Sequence, residues 1–272
     1  MSEISFKTSN VVTTELGRIN QLASSVATKF MQINDTTINA KRKVLVDQPI
    51  TTFPRIRYFG IGIKGYANIS SENNISQPYM PKASNMDLYE PIPFRCVKTP
   101  LSKEEAAKYR MVTKTEIGGT TYFQYWLKVL EFETDQPKIS SITGNRESSY
   151  ALDVSNLNPV PTDLLGTDVT QSNGQRTEVS ITAIRKVTGA EVCEVINAMY
   201  GGDLRKARIS EFGLYSGIEH AGTQMSGIDY QYTEAAYVQL ASHMCCIGHD
   251  LSNVNASLAE RCVISNGSLV RI

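Results

Sequence analysis

The sequence predicts an α+β fold that is mostly β, with antiparallel, sandwich-like sheets, an N-terminal helix and one or two short helices. Three observations predict it. Apolar residues alternate along several stretches, glycine pairs separate strand-like runs, and helical spacing is confined to the N-terminus and two short capped segments. A chain of 272 residues can bury an adequate core. The expected layout is an N-terminal arm or helix over residues 1–40 and a β-rich domain over 41–272, with a subdivision near 153–176 left open.

Taken in order, Leu16, Ile19, Ala23, Val26 and Phe30 recur every three or four residues and share one helical face. Thr13 or Thr14 can cap that helix, and Asn34-Asp35 can end it. Residues 43–46 form a short strand candidate. Phe59, Ile61 and Ile63 alternate with Gly60 and Gly62, so one strand face carries side chains and the other is bare. A bare face admits close approach of a second backbone. Residues 68–93 are polar and carry Pro78, Pro81, Pro91 and Pro93, the pattern of a long, contact-making loop. Ser102-x-x-Glu105 is a capping box that opens a short helix through Lys108. Residues 111–117 and 121–132 then form a hairpin around Gly118-Gly119. Its second strand holds Tyr122, Phe123, Tyr125, Trp126, Val129 and Phe132, residues that favour a pleated, half-buried surface.

Residues 153–176, with Pro159, Pro161, Gly166, Asn173 and Gly174, read as a domain boundary or a long surface loop. Alternation returns over 178–187, placing Val179, Ile181, Ala183 and Arg185 on one face. Thr188-x-x-Glu191 is a second capping box ahead of Val192, Val195, Ile196 and Met199, and Gly201-Gly202 stops that helix. Residues 207–216 read as a strand closed by Gly217. Residues 232–247 fit helix or strand, with alternation of Ala236, Val238, Leu240, Met244 and Cys246 favouring strand. A terminal hairpin is expected from residues 261–264 and 268–272 around Asn266-Gly267.

Charge and composition narrow the function. With 27 basic and 27 acidic residues, and no basic group denser than Lys41-Arg42-Lys43, direct nucleic-acid binding is not expected. No apolar run reaches the roughly 20 residues that span a bilayer, so no membrane partner is expected. Residues 1–7 lack a signal-peptide pattern, which implies folding in a reducing cytoplasm. Five cysteines, two of them adjacent, then imply free thiols.

The cluster with metal-ligating residue types is His243-x-Cys245-Cys246-x-x-His249. Adjacent cysteines on a strand point to opposite faces, and no CxxC or second ligand pair occurs elsewhere. Buried thiols beside a hydrogen-bonded histidine are therefore expected in place of structural zinc. Gly60-x-Gly62-x-x-Gly65 matches a dinucleotide fingerprint by letters, but it falls within an alternating strand and no helix opens after it. His220 reads as a loop residue, and Glu104-Glu105 as a solvated helix turn. No catalytic, cofactor-binding or metal residue is predicted, and no cofactor.

Three stretches carry a resemblance: Arg57-Tyr-Phe-Gly-Ile-Gly-Ile-Lys-Gly-Tyr66, Asn85-Met-Asp-Leu-Tyr-Glu-Pro-Ile-Pro-Phe-Arg-Cys96 and Ile209-Ser-Glu-Phe-Gly-Leu-Tyr-Ser-Gly217. Together they resemble tailed-bacteriophage virion proteins of the tail, neck or baseplate. The third is also similar to an E-x-G-L-Y element in strands of some tail-fibre attachment domains. The resemblance implies a non-enzymatic structural subunit, made in the host cytoplasm and resident in the virion. Its implied partners are other virion proteins and further copies of itself, as a ring or multi-copy assembly. The 13 tyrosines suit such contacts. A receptor- or carbohydrate-binding β module of a fibre or baseplate tip is the first alternative, and a hydrolase built on His220 or His243 the second.

Overall fold

The structure, a computed structural model, describes residues 10–13, 54–70, 75–134, 138–143, 146–149, 175–222 and 225–268. The expected N-terminal helix, the 43–46 strand and nearly all of 153–176 lie outside the described residues. In chain order the elements begin with β1 (Asn10–Thr13), β2 (Arg55–Gly62), β3 (Tyr66–Ser70), β4 (Ile75–Pro78), β5 (Pro91–Ile92) and β6 (Arg95–Val97). Helix α1 (Lys103–Ala106), β7 (Tyr109–Ile117), β8 (Thr120–Val129), β9 (Glu131–Phe132), β10 (Lys138–Thr143) and β11 (Arg146–Ser149) follow. The chain continues with β12 (Gln175–Thr188), α2 (Gly189–Tyr200), a 3-10 turn (Leu204–Lys206), β13 (Arg208–Ala221), β14 (Thr233–Asp250) and β15 (Ser257–Ser268). The fold is thus mostly β, with two helices among the described residues, as the alternation predicts.

Two compact units divide the chain: residues 1–130 with 186–258, and residues 131–185 with 259–272. In the first, an antiparallel sheet runs β1-β14-β13-β2-β8-β6, with β5 also paired to β2 and β7 to β8. In the second, the order is β11-β10-β12-β15, with β9 beside β12.

The hairpin between β7 and β8 forms as the sequence predicts. Gly118 and Gly119 take φ of 55° and 76°, the two positive values that a tight primed turn demands. β14 settles the helix-or-strand ambiguity in favour of strand. Residues 235–241 are all buried, which blurs the alternation expected of a strand with one wet face. Helix α2 keeps its reciprocal capping box, Thr188 with Glu191, and ends at Gly201 with φ 62°. Its acidic residues tie it to the sheet. Arg95 makes a bidentate pair with Glu194, and Lys128 Nζ lies 2.7 Å from Glu191 Oε1, which also accepts from Tyr109 Oη at 2.6 Å.

Four expectations need correction. Helix α1 is a single turn that ends at Ala106, because the sheet takes over: Val129 N donates to the carbonyl of Lys108. The strand expected over 121–132 breaks at Leu130, whose N–H bonds to Arg57 O, and β9 then pairs with β12. Gly217 does not close β13. It pairs with Arg55 beside a register irregularity, where a Cβ would press on the Tyr58 ring at 3.1 Å. β15 runs unbroken from Ser257 through Asn266-Gly267 to Ser268, so no turn forms at that pair, and residues 269–272 of the expected second strand lie outside the described residues; asparagine and glycine permit a turn without compelling one. Within residues 68–93, the structure also shows more order than the proline spacing suggests, since β3 and β4 pair antiparallel.

Candidate functional site

The bare face of β2 has specific occupants. A Cβ on Gly60 would meet the Tyr215 ring at 2.8 Å, and one on Gly62 would meet Glu211 Oε2 at 2.6 Å. At Gly65 it would lie 1.9 Å from Ser210 O, an impossible contact. Each glycine of the former fingerprint therefore makes room for a residue of the segment 209–217 on β13. The β13 register sets Glu211 opposite Gly62 on one side and Cys245 on the other.

Glu211 is fully buried, and its carboxylate is the node of the first unit. Oε1 accepts from Tyr89 N at 2.7 Å, and Oε2 accepts from Lys64 N and Glu90 N, both at 3.0 Å. His243 Nε2 lies 3.1 Å from Oε1. Burial alone would raise this carboxyl group, but hydrogen bonds from His243, Tyr89, Glu90 and Lys64 outweigh it and hold the group below the usual carboxylate range.

His243, also fully buried, sits between two segments. Its Nδ1 is 3.1 Å from Asn85 Nδ2, and its ring packs against Tyr89 with centroids 5.0 Å apart. Two residues along the same strand, on the same face, Cys245 Sγ lies 3.5 Å from His243 Nε2. Burial, followed by the Glu211 charge and Cys246, pushes the Cys245 thiol up to about 12. Close by, Tyr215 Oη donates to Asp87 Oδ1 at 3.1 Å. Residues 57–66, 85–96 and 209–217 thus converge: the first supplies the glycine face and the Lys64 N–H, the second the Tyr89 and Glu90 N–H groups and Asn85, and the third the carboxylate.

A family model described as "Family of unknown function (DUF7208)" matches residues 1–262. The chain belongs to that family. No curated protein matches it, and no solved structure does.

Within this DUF7208 chain, the four-residue ligand cluster read from sequence is divided by the strand. Cys246 turns away from His243 and bonds to Ser210 O at 3.6 Å, while His249 packs its ring on Phe212 at 6.2 Å. Glu211, His243 and Cys245 instead form the group whose ligand atoms lie within 4.8 Å of one another. Local spacing could not reveal Glu211 or Asn85, because strand pairing and a folded-back loop bring them from distant segments. The pairing of β13 with β14 was the missing signal. His220 lies on β13, opposite Glu234 in register, with Nδ1 donating to Ala221 O at 2.7 Å. It is a strand residue. None of the five cysteines is in a disulfide.

A nucleophilic role for Cys245 has little chemical support. Thiol catalysts are exposed and have lowered thiol pKa values, whereas this thiol is buried and raised. The first unit has two surface features, one of which abuts the node through Tyr89, whose ring packs on His243. Tyr79, Met80, Met86 and Tyr89 are exposed on the segment after β4, with the Tyr79 and Tyr89 rings edge-on at 5.8 Å. An open cleft of about 800 Å³ lies elsewhere, lined by residues 99–103 and 225–230. Among the described residues, no helix is long and apolar enough to cross a membrane.

Proposed function

We propose that this DUF7208 chain is a non-enzymatic structural subunit of a tailed-phage virion, in the tail, neck or baseplate region, that assembles through protein–protein contacts. The observation that carries the reading is the convergence at Glu211. The three stretches resembling phage virion proteins are remote in sequence, yet they hydrogen-bond and pack as one unit around this carboxylate. A shared structural node gives stretches this far apart in sequence a common reason to carry one resemblance.

The surface supports the same reading. Met80 is 71% exposed beside the partly exposed Tyr79–Tyr89 pair, and aromatic and methionine side chains are enriched at protein interfaces. These aromatic residues do not line the cleft, so they do not favour a carbohydrate-binding pocket. The buried His243–Cys245 pair gives a hydrolase no accessible nucleophile.

Quantitative mass spectrometry of phage particles produced from the genome that encodes this chain tests the proposal. The expected result is the chain at a fixed, multiple copy number per purified particle. Its absence from particles, with abundant protein in the lysate, would overturn the reading.

A further inference from the structure

We propose that Glu211, His243 and Cys245 form a buried zinc site, with one ion per chain held by the carboxylate, the imidazole Nε2 and the thiolate.

Zinc binds nitrogen and oxygen at about 2.0–2.2 Å and thiolate sulfur at about 2.3 Å in a tetrahedron. Those lengths give ligand–ligand edges of roughly 3.3 Å for nitrogen to oxygen and roughly 3.5 Å for nitrogen to sulfur. His243 Nε2 lies 3.1 Å from Glu211 Oε1 and 3.5 Å from Cys245 Sγ. The remaining edge, carboxylate to thiol, is no longer than 4.8 Å.

Hydrogen-bond accounting points the same way. Nε2 faces both a carboxylate oxygen and a sulfur, but an imidazole nitrogen carries either one proton or one lone pair. With its proton on Nε2 the imidazole donates to Glu211 and leaves Cys245 only a weak contact; with that proton on Nδ1 and the thiol ionised, all three atoms present lone pairs to a shared cation.

Charge balance supports a zinc ion in particular. A buried carboxylate is an uncompensated negative charge even when well hydrogen-bonded. Zinc displaces the Cys245 proton to solvent, and a doubly positive ion with one thiolate, one carboxylate and one neutral imidazole sums to zero. A mixed nitrogen, oxygen and sulfur set suits this borderline-soft ion better than magnesium or calcium.

Outer groups are also in place. The Glu211 carboxylate is oriented by the N–H groups of Lys64, Tyr89 and Glu90. Asn85 stands at His243 Nδ1 and can turn its amide to accept the Nδ1 proton, the partner that a zinc-bound histidine needs. Three protein ligands leave one tetrahedral position for water. Because all three are fully buried, the ion would enter during folding.

The test is metal analysis of the full chain, expressed with added zinc and dialysed against metal-free buffer. One zinc per chain is expected, with loss of the ion in Cys245→Ser and retention in Cys262→Ser. A metal-free wild-type chain would overturn the proposal, as would a Cys245→Ser protein that keeps its zinc. If Cys245→Ser fails to fold, wild-type chain refolded with cobalt(II) decides the matter. A thiolate-to-cobalt charge-transfer band, absent when Cys245 is alkylated before refolding, supports the site; refolded protein without that band overturns it.

Discussion

Gly62 and Glu211 face each other across paired strands, and the absent side chain of one is the space occupied by the carboxylate of the other. Gly62→Ala would place a methyl carbon 2.6 Å from Oε2 and 2.8 Å from the Glu90 carbonyl. The carboxylate is held by three backbone N–H groups and cannot yield cheaply. The expected cost is about 1–3 kcal/mol, the usual range for overpacking. Urea denaturation followed by the fluorescence of the single tryptophan, the buried Trp126, measures it. A neutral Gly62→Ala would show that the node can relax.

A contrasting glycine is Gly118. Nothing lies within 4 Å of the Cβ it lacks, so space is free there and only its φ of 55° restricts substitution. Gly118→Val should cost roughly 1–2 kcal/mol, the penalty of a left-handed residue. Gly118→Asn should recover most of that, because asparagine tolerates this region. The same denaturation series ranks the two variants, and equal stability of both would contradict the turn assignment.

The sequence exposed the local rules and concealed the pairings. Gly118-Gly119, Thr188-x-x-Glu191 and the alternation around Phe59 each encode structure within a few residues, and each forms as read. Glu211 could not be recognised in this way. Its donors come from Lys64, Tyr89 and Glu90, and its neighbour Cys245 comes from the next strand, so its role exists only once β2, β13 and β14 are in register. Asn266-Gly267 illustrates the opposite error. A strong turn signal lies inside a continuous strand of a sheet in which β15 neighbours β12, and sheet pairing can override a local preference.

Glu191 makes stability depend on acid. Burial tends to raise its carboxyl group, but Lys128, the Tyr109 hydroxyl and Thr188 hold it below the ordinary value. A carboxylate lowered in the folded state stabilises fully above its unfolded pKa, about 4.3. That contribution is lost as pH falls below this value and through the folded pKa. Glu191→Gln should therefore lower the Tm at pH 7 while flattening its decline below about pH 4.3. Thermal melts across pH 3–7 would reveal this, and parallel Tm curves for the two proteins would refute it.

The exposed segment after β4 separates assembly from folding. Met80 is 71% exposed, and Tyr79 39% exposed, so replacing them removes little from the core. Met80→Asp with Tyr79→Ser should cost no more than about 1–2 kcal/mol, a surface substitution plus the lost Tyr79–Tyr89 ring contact. If this face contacts a neighbouring subunit, the same variant places a charge where apolar area is buried. Loss of a central interface residue costs about 2 kcal/mol or more, equivalent to roughly a thirtyfold weaker contact. Incorporation into particles, measured by mass spectrometry against wild type, should fall accordingly. Asp229→Asn in the cleft serves as the control, and it should incorporate normally. Normal incorporation of the Tyr79/Met80 variant would move the contact surface away from this segment, while failure of the cleft variant alone would shift attention to ligand binding.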